Sequence, residues 1–417
     1  MNVDELLRDS LQEISDDGAH PPGDLADRAL AVGKRRRTRR VAGAAAATVA
    51  AVAVAVGVPM LATGPDETSS AAAPRLASQD QQDDVVAHPD QSPPKDLIAA
   101  GDTALAAFTT QKRVKQPNRD EIITRTYGLL NQKTGTYEKT DKWAFLAVAP
   151  GMRTAAVLEG ELPAKRIGLL DLATGKVDRW IPVEQGVGGV AFSPDGRKLV
   201  ATTYDKNPDR LFWEHKMNVN GKDEPGQYPS RTGFTVIDFQ SGEAEWHKAP
   251  TESDETGFPG NSREDFAFSH DGSLVYAHLI TEPHREYYDL KGAKAPTPPE
   301  EKHLTYVEAG LSPDGKLAAG EFAGKGDEIA SAVNDPRTGK LVAKVPAQQL
   351  LAWADNKRII AWGCDPKKCD GKGEFRNQLL LVTVGSDKVV PLSDFRKAND
   401  DYPSRWTPVF AGRGYRG

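Results

Sequence analysis

A hairpin-like phrase that returns along the chain constrains the fold more than any other feature. GVAFSPDGRKLVATTY at Gly189 to Tyr204 is echoed by DFAFSHDGSLVYAHL at Asp265 to Leu279 and by EAGLSPDGKLAAGEF at Glu308 to Phe322. Each copy reads as an apolar strand, a polar turn and a second apolar strand. Weaker copies stand at Phe145 to Glu159 and at Gln349 to Gly363. Units of this kind cannot bury an apolar face alone, so they stack on their neighbours. A second turn follows each hairpin: NQKTGTY at Asn131, DLATGKV at Asp171, DFQSGEA at Asp238, DLKGAKA at Asp289, DPRTGKL at Asp335 and TVGSDKV at Thr383. Asp, Ser, Thr and Gly gather at such points because tight turns need side-chain bonds to backbone amides and residues at ease with positive φ.

Pairing the two landmarks gives units of roughly 40 to 50 residues with about four strands each, the texture of propeller blades. The unit from Val190 to Pro250 is longer because DKNPDRLFWEHKMNVNGKDEPGQYP interrupts it. The first unit, near Thr103, lacks an opening strand. RWTPVFAG at Arg405 to Gly412 has the look of one with no partners after it. The expectation is therefore an all-β propeller of about six blades over residues 96–417, closed by its C-terminal strand, which would remove exposed sheet edges.

The turns Ser193-Pro194-Asp195-Gly196, Ser269-His270-Asp271-Gly272 and Ser312-Pro313-Asp314-Gly315 resemble those of WD-repeat and TolB-like β-propellers. The lack of a Trp-Asp dipeptide closing each unit favours the TolB-like side. This resemblance implies architecture and leaves function open, because unrelated binders and enzymes share the turn.

The first hundred residues have a different composition. Met1 to Gly33 holds eight acidic and two basic residues, whereas Lys34, Arg35, Arg36, Arg37, Arg39 and Arg40 form a basic cluster. These cancel, so the net charge of -6 belongs to the remainder and argues against a nucleic-acid partner there. Val41 to Ala62 is a 22-residue run without a charge, long enough at about 1.5 Å per residue to cross roughly 30 Å of hydrocarbon. The basic cluster before it predicts a single-pass membrane protein with residues 1–40 cytoplasmic and everything after the span outside. Residues 63–95 read as a disordered linker. A cleaved signal is the alternative, with Thr38-Arg39-Arg40 resembling a twin-arginine motif and Ala71-Ala72-Ala73 a cleavage site. Val3, Leu7, Leu11 and Ile14 recur at helical spacing on an acidic background. A short helix pair before a span resembles the cytoplasmic end of transmembrane anti-sigma factors and implies a cytoplasmic regulator as partner. A solvated juxtamembrane tail is the plainer reading.

Chemistry is sparse. Cys364 and Cys369 share a loop-like stretch, where a disulfide fits an oxidising compartment better than a metal site does, with free thiols as the alternative. No Gly-x-Ser-x-Gly elbow is present. The histidines have no paired ligand spacing, and Asp195, Asp271 and Asp314 recur as turn caps rather than as acid and base. No catalytic residue, cofactor or metal is expected. Most of the seven tryptophans read as strand packing, and Trp213, in the long insertion, marks either a ligand lip or a self-packed loop. The leading expectation is an extracytoplasmic, non-catalytic binding or scaffold module for a protein, peptide or glycan. The alternatives are a transmembrane signalling regulator and a propeller enzyme such as a lactonase or lyase.

Overall fold

The structure is a computed structural model and describes residues 84–219, 221–251, 263–279, 282–326, 328–369, 377–396 and 405–414. These residues form strands and turns, with no helix, and none therefore forms a helix long and apolar enough to cross a membrane. The expected span over 41–62, the orienting cluster Lys34 to Arg40 and the apolar stripe at Val3 to Ile14 lie outside the described residues.

Antiparallel meanders follow one another along the chain. In the first unit Thr103–Lys115, Glu121–Asn131 and Thr136–Thr140 pair in sequence order. The last strand, Thr407–Gly412, pairs antiparallel with Thr103–Lys115, Thr407 opposite Thr109 and Gly412 opposite Thr103. The second unit is Trp143–Val148, Thr154–Glu159, Ala164–Asp171 and the start of the 17-residue strand Lys176–Phe192. That long strand changes partners. Lys176 to Pro182 lies along Ala164–Asp171, and Val187 to Phe192 lies along Lys198–Tyr204, which opens the third unit with Arg231–Asp238 and Ala244–Lys248.

The fourth unit contains Ala267–Phe268, Leu274–His278, Arg285–Asp289 and Lys294–Ala295. The fifth contains Ala318–Phe322, Ser331–Asn334 and Leu341–Val345. The sixth contains Gln349–Trp353, Arg358–Gly363, Gln378–Thr383 and Val389–Pro391. In the fifth unit the opening strand expected at Glu308 to Ser312 is only a bridge from Leu311 to Ala318. Gly310, at φ 55°, turns the chain there and ends the extended run.

Packing between units follows the order of the chain and then closes it. Leu146, Val157 and Leu170 of the second unit bury against Ala107, Tyr127 and Leu130 of the first. Leu158 and Ile167 meet Leu199 and Ile237 of the third unit, and Phe234 meets Phe266 and Tyr288 of the fourth. Val333 and Val345 meet Leu350 and Ile359 of the sixth. Ile360, Trp362 and Leu379 of the sixth pack on Leu105 and Phe108 of the first, with Trp406 among them. The first unit is thus covered on both faces, and each large side chain so buried contributes about 1.5–3 kcal/mol. Ahead of the fifth unit, by contrast, a polar contact dominates: buried Glu301 accepts hydrogen bonds from Arg285 Nη1, Tyr287 Oη and the His270 backbone, each at 2.7 Å.

One expectation needs correction. The ordered domain does not begin at residue 96. Asp84 already pairs with Arg358, Val85–Val86 forms a strand against Ala99–Ala100, and Ser92 Oγ accepts from the Trp406 indole at 3.0 Å. Backbone pairing, packing of Val85 against the core shared with the sixth unit and packing of Val86 against the core of the first and second units offset the entropy that composition alone assigned to this stretch. The long insertion, for which the sequence offers a ligand lip or a self-packed loop, is regular in structure. Arg210–Val219 and Lys222–Gly226 form a hairpin, and its first strand pairs with the start of Glu121–Asn131, Arg210 opposite Ile122.

Candidate ligand-binding cavity

The three repeat turns share one set of bonds. Ser193 Oγ donates to Asp195 Oδ1 at 2.6 Å and accepts from the Lys198 backbone at 2.9 Å. Ser269 makes the same contacts with Asp271 and Leu274, and Ser312 with Asp314 and Leu317. Each Asp also accepts from the backbone two residues on. Gly196, Gly272 and Gly315 sit at φ 70°, 73° and 69°, where a side chain is strained. Pro194 and Pro313 complete the turns. Partial burial raises the Asp195 and Asp271 pKa values, but the Ser hydroxyl and backbone bonds outweigh it and hold both below the ordinary value. At Asp314 the Ser312 bond leads in the same direction. These carboxylates are engaged within their own turns.

Four residues before the turn, the repeat position diverges: Phe145, Gly189, Asp265, Glu308 and Gln349 occupy it in successive units. Three of them stand at a charged network. Asp209, in the loop after Lys198–Tyr204, accepts from both terminal nitrogens of Arg125 and from Arg263 Nε at 3.0 Å. Arg263 Nη1 donates to Asp265 Oδ2 at 2.7 Å and to the Gly188 carbonyl at 2.8 Å, and Tyr204 Oη donates to Asp265 Oδ1 at 2.9 Å. Both guanidinium groups lie over the Phe145 ring. A Cβ on Gly189 would stand 2.1 Å from Asp265 Oδ1, so this position leaves room for the carboxylate. Burial would raise the Asp209 pKa, and the two guanidinium groups more than offset it. The network joins the first four units.

The other two positions, Glu308 and Gln349, open onto a cavity of about 590 Å³, a size suited to a small ligand. Its walls come from the start of the sixth unit (Gln349, Leu351, Trp353), the closing strand (Thr407, Pro408, Phe410) and the approach to the fifth unit (Glu308, Leu311). Gln111, Trp362, Arg396, Arg405 and His270 complete it. Strand register explains the grouping: Gln349 lies opposite Trp362, and the Arg396 guanidinium carbon lies over the Trp362 ring, 3.9 Å from its centroid. Arg396 Nη1 also reaches the Trp406 carbonyl at 3.4 Å. Gln349 Nε2 donates to Glu308 Oε2 at 2.9 Å. Desolvation by the cavity walls raises the Glu308 pKa, and the Gln349 bond offsets only part of this.

Trp213 is half-buried. Its backbone N–H donates to Asp120 Oδ1 at 2.8 Å, its ring lies between Arg119 and Lys216, and Asp120 also binds Arg210 at 3.0 Å. The insertion is packed on the first unit's hairpin. Cys364 and Cys369 lie with Cα atoms 6.2 Å apart, within reach of a disulfide. No group of three His, Cys, Asp or Glu side chains suited to a metal occurs among the described residues.

Of the repeat-turn residues singled out from sequence, His270 and Pro313 line the cavity. Glu308, Gln349, Arg396 and Arg405 carried no motif. Variation at a single repeat position is the signal that could have found the first two.

No family model matches the chain, and no curated protein matches it. Among solved structures, TolB from Acinetobacter baumannii is similar at 16% identity over 75% of this chain and 68% of that one, with a TM-score of 0.35. The β-propeller domain of Myceliophteria thermophila Cps50 (Swd1) is similar at 12% identity over 72% and 89%, with a TM-score of 0.34. A chain of the Mitotic Checkpoint Complex is similar at 13% identity over 81% and 88%, with a TM-score of 0.37.

Proposed function

We propose that this chain is a membrane-tethered binding module. Residues 41–62 span the membrane, residues 1–40 face the cytoplasm, and a propeller of six blades outside the cell takes its ligand in the cavity beside Glu308. The observation that carries this reading is the cavity itself. Its guanidinium groups, indole and carboxylate–amide pair are recognition groups, with Gln349 and Trp362 held opposite each other on paired strands of the sixth unit. The sequence supports the placement: the Lys34 to Arg40 cluster precedes an uncharged run of spanning length. A disulfide between Cys364 and Cys369 suits the outside compartment.

The test combines topology with capture. A tag before Met1 should survive protease treatment of intact cells while a tag after Gly417 is digested, and a photocrosslinking residue at Gln111 should yield an adduct of defined mass. A chain released to the medium would refute tethering, and a Gln111 residue that captures nothing would refute the cavity as the binding site. A second reading rests on the stripe Val3, Leu7, Leu11 and Ile14: a signalling protein whose cytoplasmic segment holds a regulator. It requires that a peptide of residues 1–33 retain a cytoplasmic partner in a pull-down.

A further inference from the structure

Where the fourth unit meets the approach to the fifth, imidazole and guanidinium nitrogens outnumber their acceptors. His278 ends the strand Leu274–His278, directly opposite Arg285. Its ring meets those of Tyr276 and Tyr306, with centroids 5.1 Å and 4.7 Å away. Nδ1 of His278 is buried without a hydrogen-bond partner among the described residues, as are Nδ1 of His284 and Nε of Arg285. A proton on His278 would place a second positive charge beside the Arg285 guanidinium. Glu301, the carboxylate of this cluster, is already engaged by Arg285 Nη1, Tyr287 Oη and the His270 backbone. Glu286 lies on the other face of the sheet, bound to Lys294 and Tyr288, and Glu282 and Glu308 are exposed. Attraction to the tyrosine rings offsets only part of the cost, because the Tyr276 ring already carries the Arg285 guanidinium, 4.1 Å from its centroid. Burial, then Arg285 and His284, push the His278 pKa down to about 4.

An imidazolium in this place is relieved by admitting water, and the neighbours differ in how firmly they are held. Tyr276 and Arg285 belong to paired strands. Tyr306 is 60% exposed and lies in a strand-free stretch braced by the Val307 N–H on the Thr305 carbonyl and the Gly310 N–H on the Val307 carbonyl. We infer that His278 is an acid-sensitive latch: neutral, it packs Tyr306 against the fourth unit, and protonated, it releases the segment from Thr305 to Gly310. Glu308 and Ala309 of that segment line the cavity, so acid loosens this wall whatever the cavity binds. Above the ordinary imidazole value of 6.5 the ring is neutral with the segment closed or open, and the latch holds fully. As pH falls from there toward about 4, the open state takes up the proton first, so opening rises by up to about tenfold per pH unit.

Hydrogen exchange of the full chain in detergent, compared between about pH 7 and about pH 5 after correction for intrinsic rates, tests the latch. Protection of the Val307 and Gly310 amides should fall at least tenfold, while amides of Thr154–Glu159 in the second unit keep theirs. His278→Phe, which retains a ring and cannot take a proton, should abolish the fall, and His278→Gln gives a second non-titrating variant should the first fail to fold. Tyr306→Ala should leave the segment open at both pH values. In spectra of isotope-labelled histidine, the imidazole signal missing from His278→Phe should titrate below about pH 5 in the parent. No fall in protection, or a His278 signal that titrates near 6.5, would overturn the latch. So would a fall that persists in the non-titrating variants, which would belong to another acid-titrating group such as Glu308. The Gln111 crosslink reads the cavity alone, so the latch and the binding reading stand or fall separately.

Discussion

Asp209→Ala should cost this fold more than most single substitutions. The Asp209 side chain is 6% exposed and faces Arg125, itself 8% exposed, and Arg263 at 20%. Removing the carboxylate leaves Arg125 buried with, among the described residues, the Ala144 carbonyl as its remaining hydrogen-bond acceptor, while Arg263 keeps Asp265. Stripping one partner from a buried ion pair costs about 3–5 kcal/mol. At roughly 2 °C per kcal/mol for a domain of this size, the midpoint should fall by about 6–10 °C. Thermal and urea melts of the purified full chain, followed by tryptophan fluorescence, read the change. A double-mutant cycle with Arg125→Ala should return a coupling above about 1 kcal/mol. The pH dependence follows from the depressed pKa. Asp209 stabilises the fold fully above the unfolded carboxyl value of 3.8, and this contribution is lost as pH falls further toward the folded value. The gap between the parent and Asp209→Asn should therefore be widest near neutrality and should narrow below about pH 4. A coupling near zero, or a gap that persists at low pH, would refute the claim that this network ties the first four units together.

Other outcomes follow from the same geometry. Ser269→Ala removes a fully buried hydroxyl and strands the Leu274 N–H, so urea titration should show a loss of about 1–3 kcal/mol. Gly189→Ala pushes the Asp265 carboxylate away from Arg263 and Tyr204, and its melting midpoint should drop where Gly414→Ala, with nothing near its Cβ, leaves it unchanged. Deleting residues 405–417 removes the strand paired with Thr103–Lys115 and the Trp406 ring from the core; limited proteolysis should then cleave within the first unit under conditions where the parent resists. Protein recovered from an oxidising compartment should resist thiol alkylation at Cys364 and Cys369 until reduced.

Sequence alone determined the strand–turn–strand grammar, because its requirements are local. A turn with φ near 70° asks for Gly, and a Ser and an Asp two residues apart fix it through bonds that span five residues. The partner of the first unit was also legible, since RWTPVFAG had the pattern of an opening strand and Thr103–Lys115 lacked one. Tertiary structure decided the rest. Val85 gains order from a core that includes residues near 360 and 380, and Val86 from one that includes residues near 150, none of which a window around residue 85 contains. The insertion around Trp213 became a paired hairpin because Asp120, 93 residues away, binds its backbone. Glu308, Gln349, Arg396 and Arg405 became one cavity because closing the sheet order brought the fifth, sixth and first units around a common space. Local chemistry is written along the chain, whereas convergence of distant side chains depends on how the units pack.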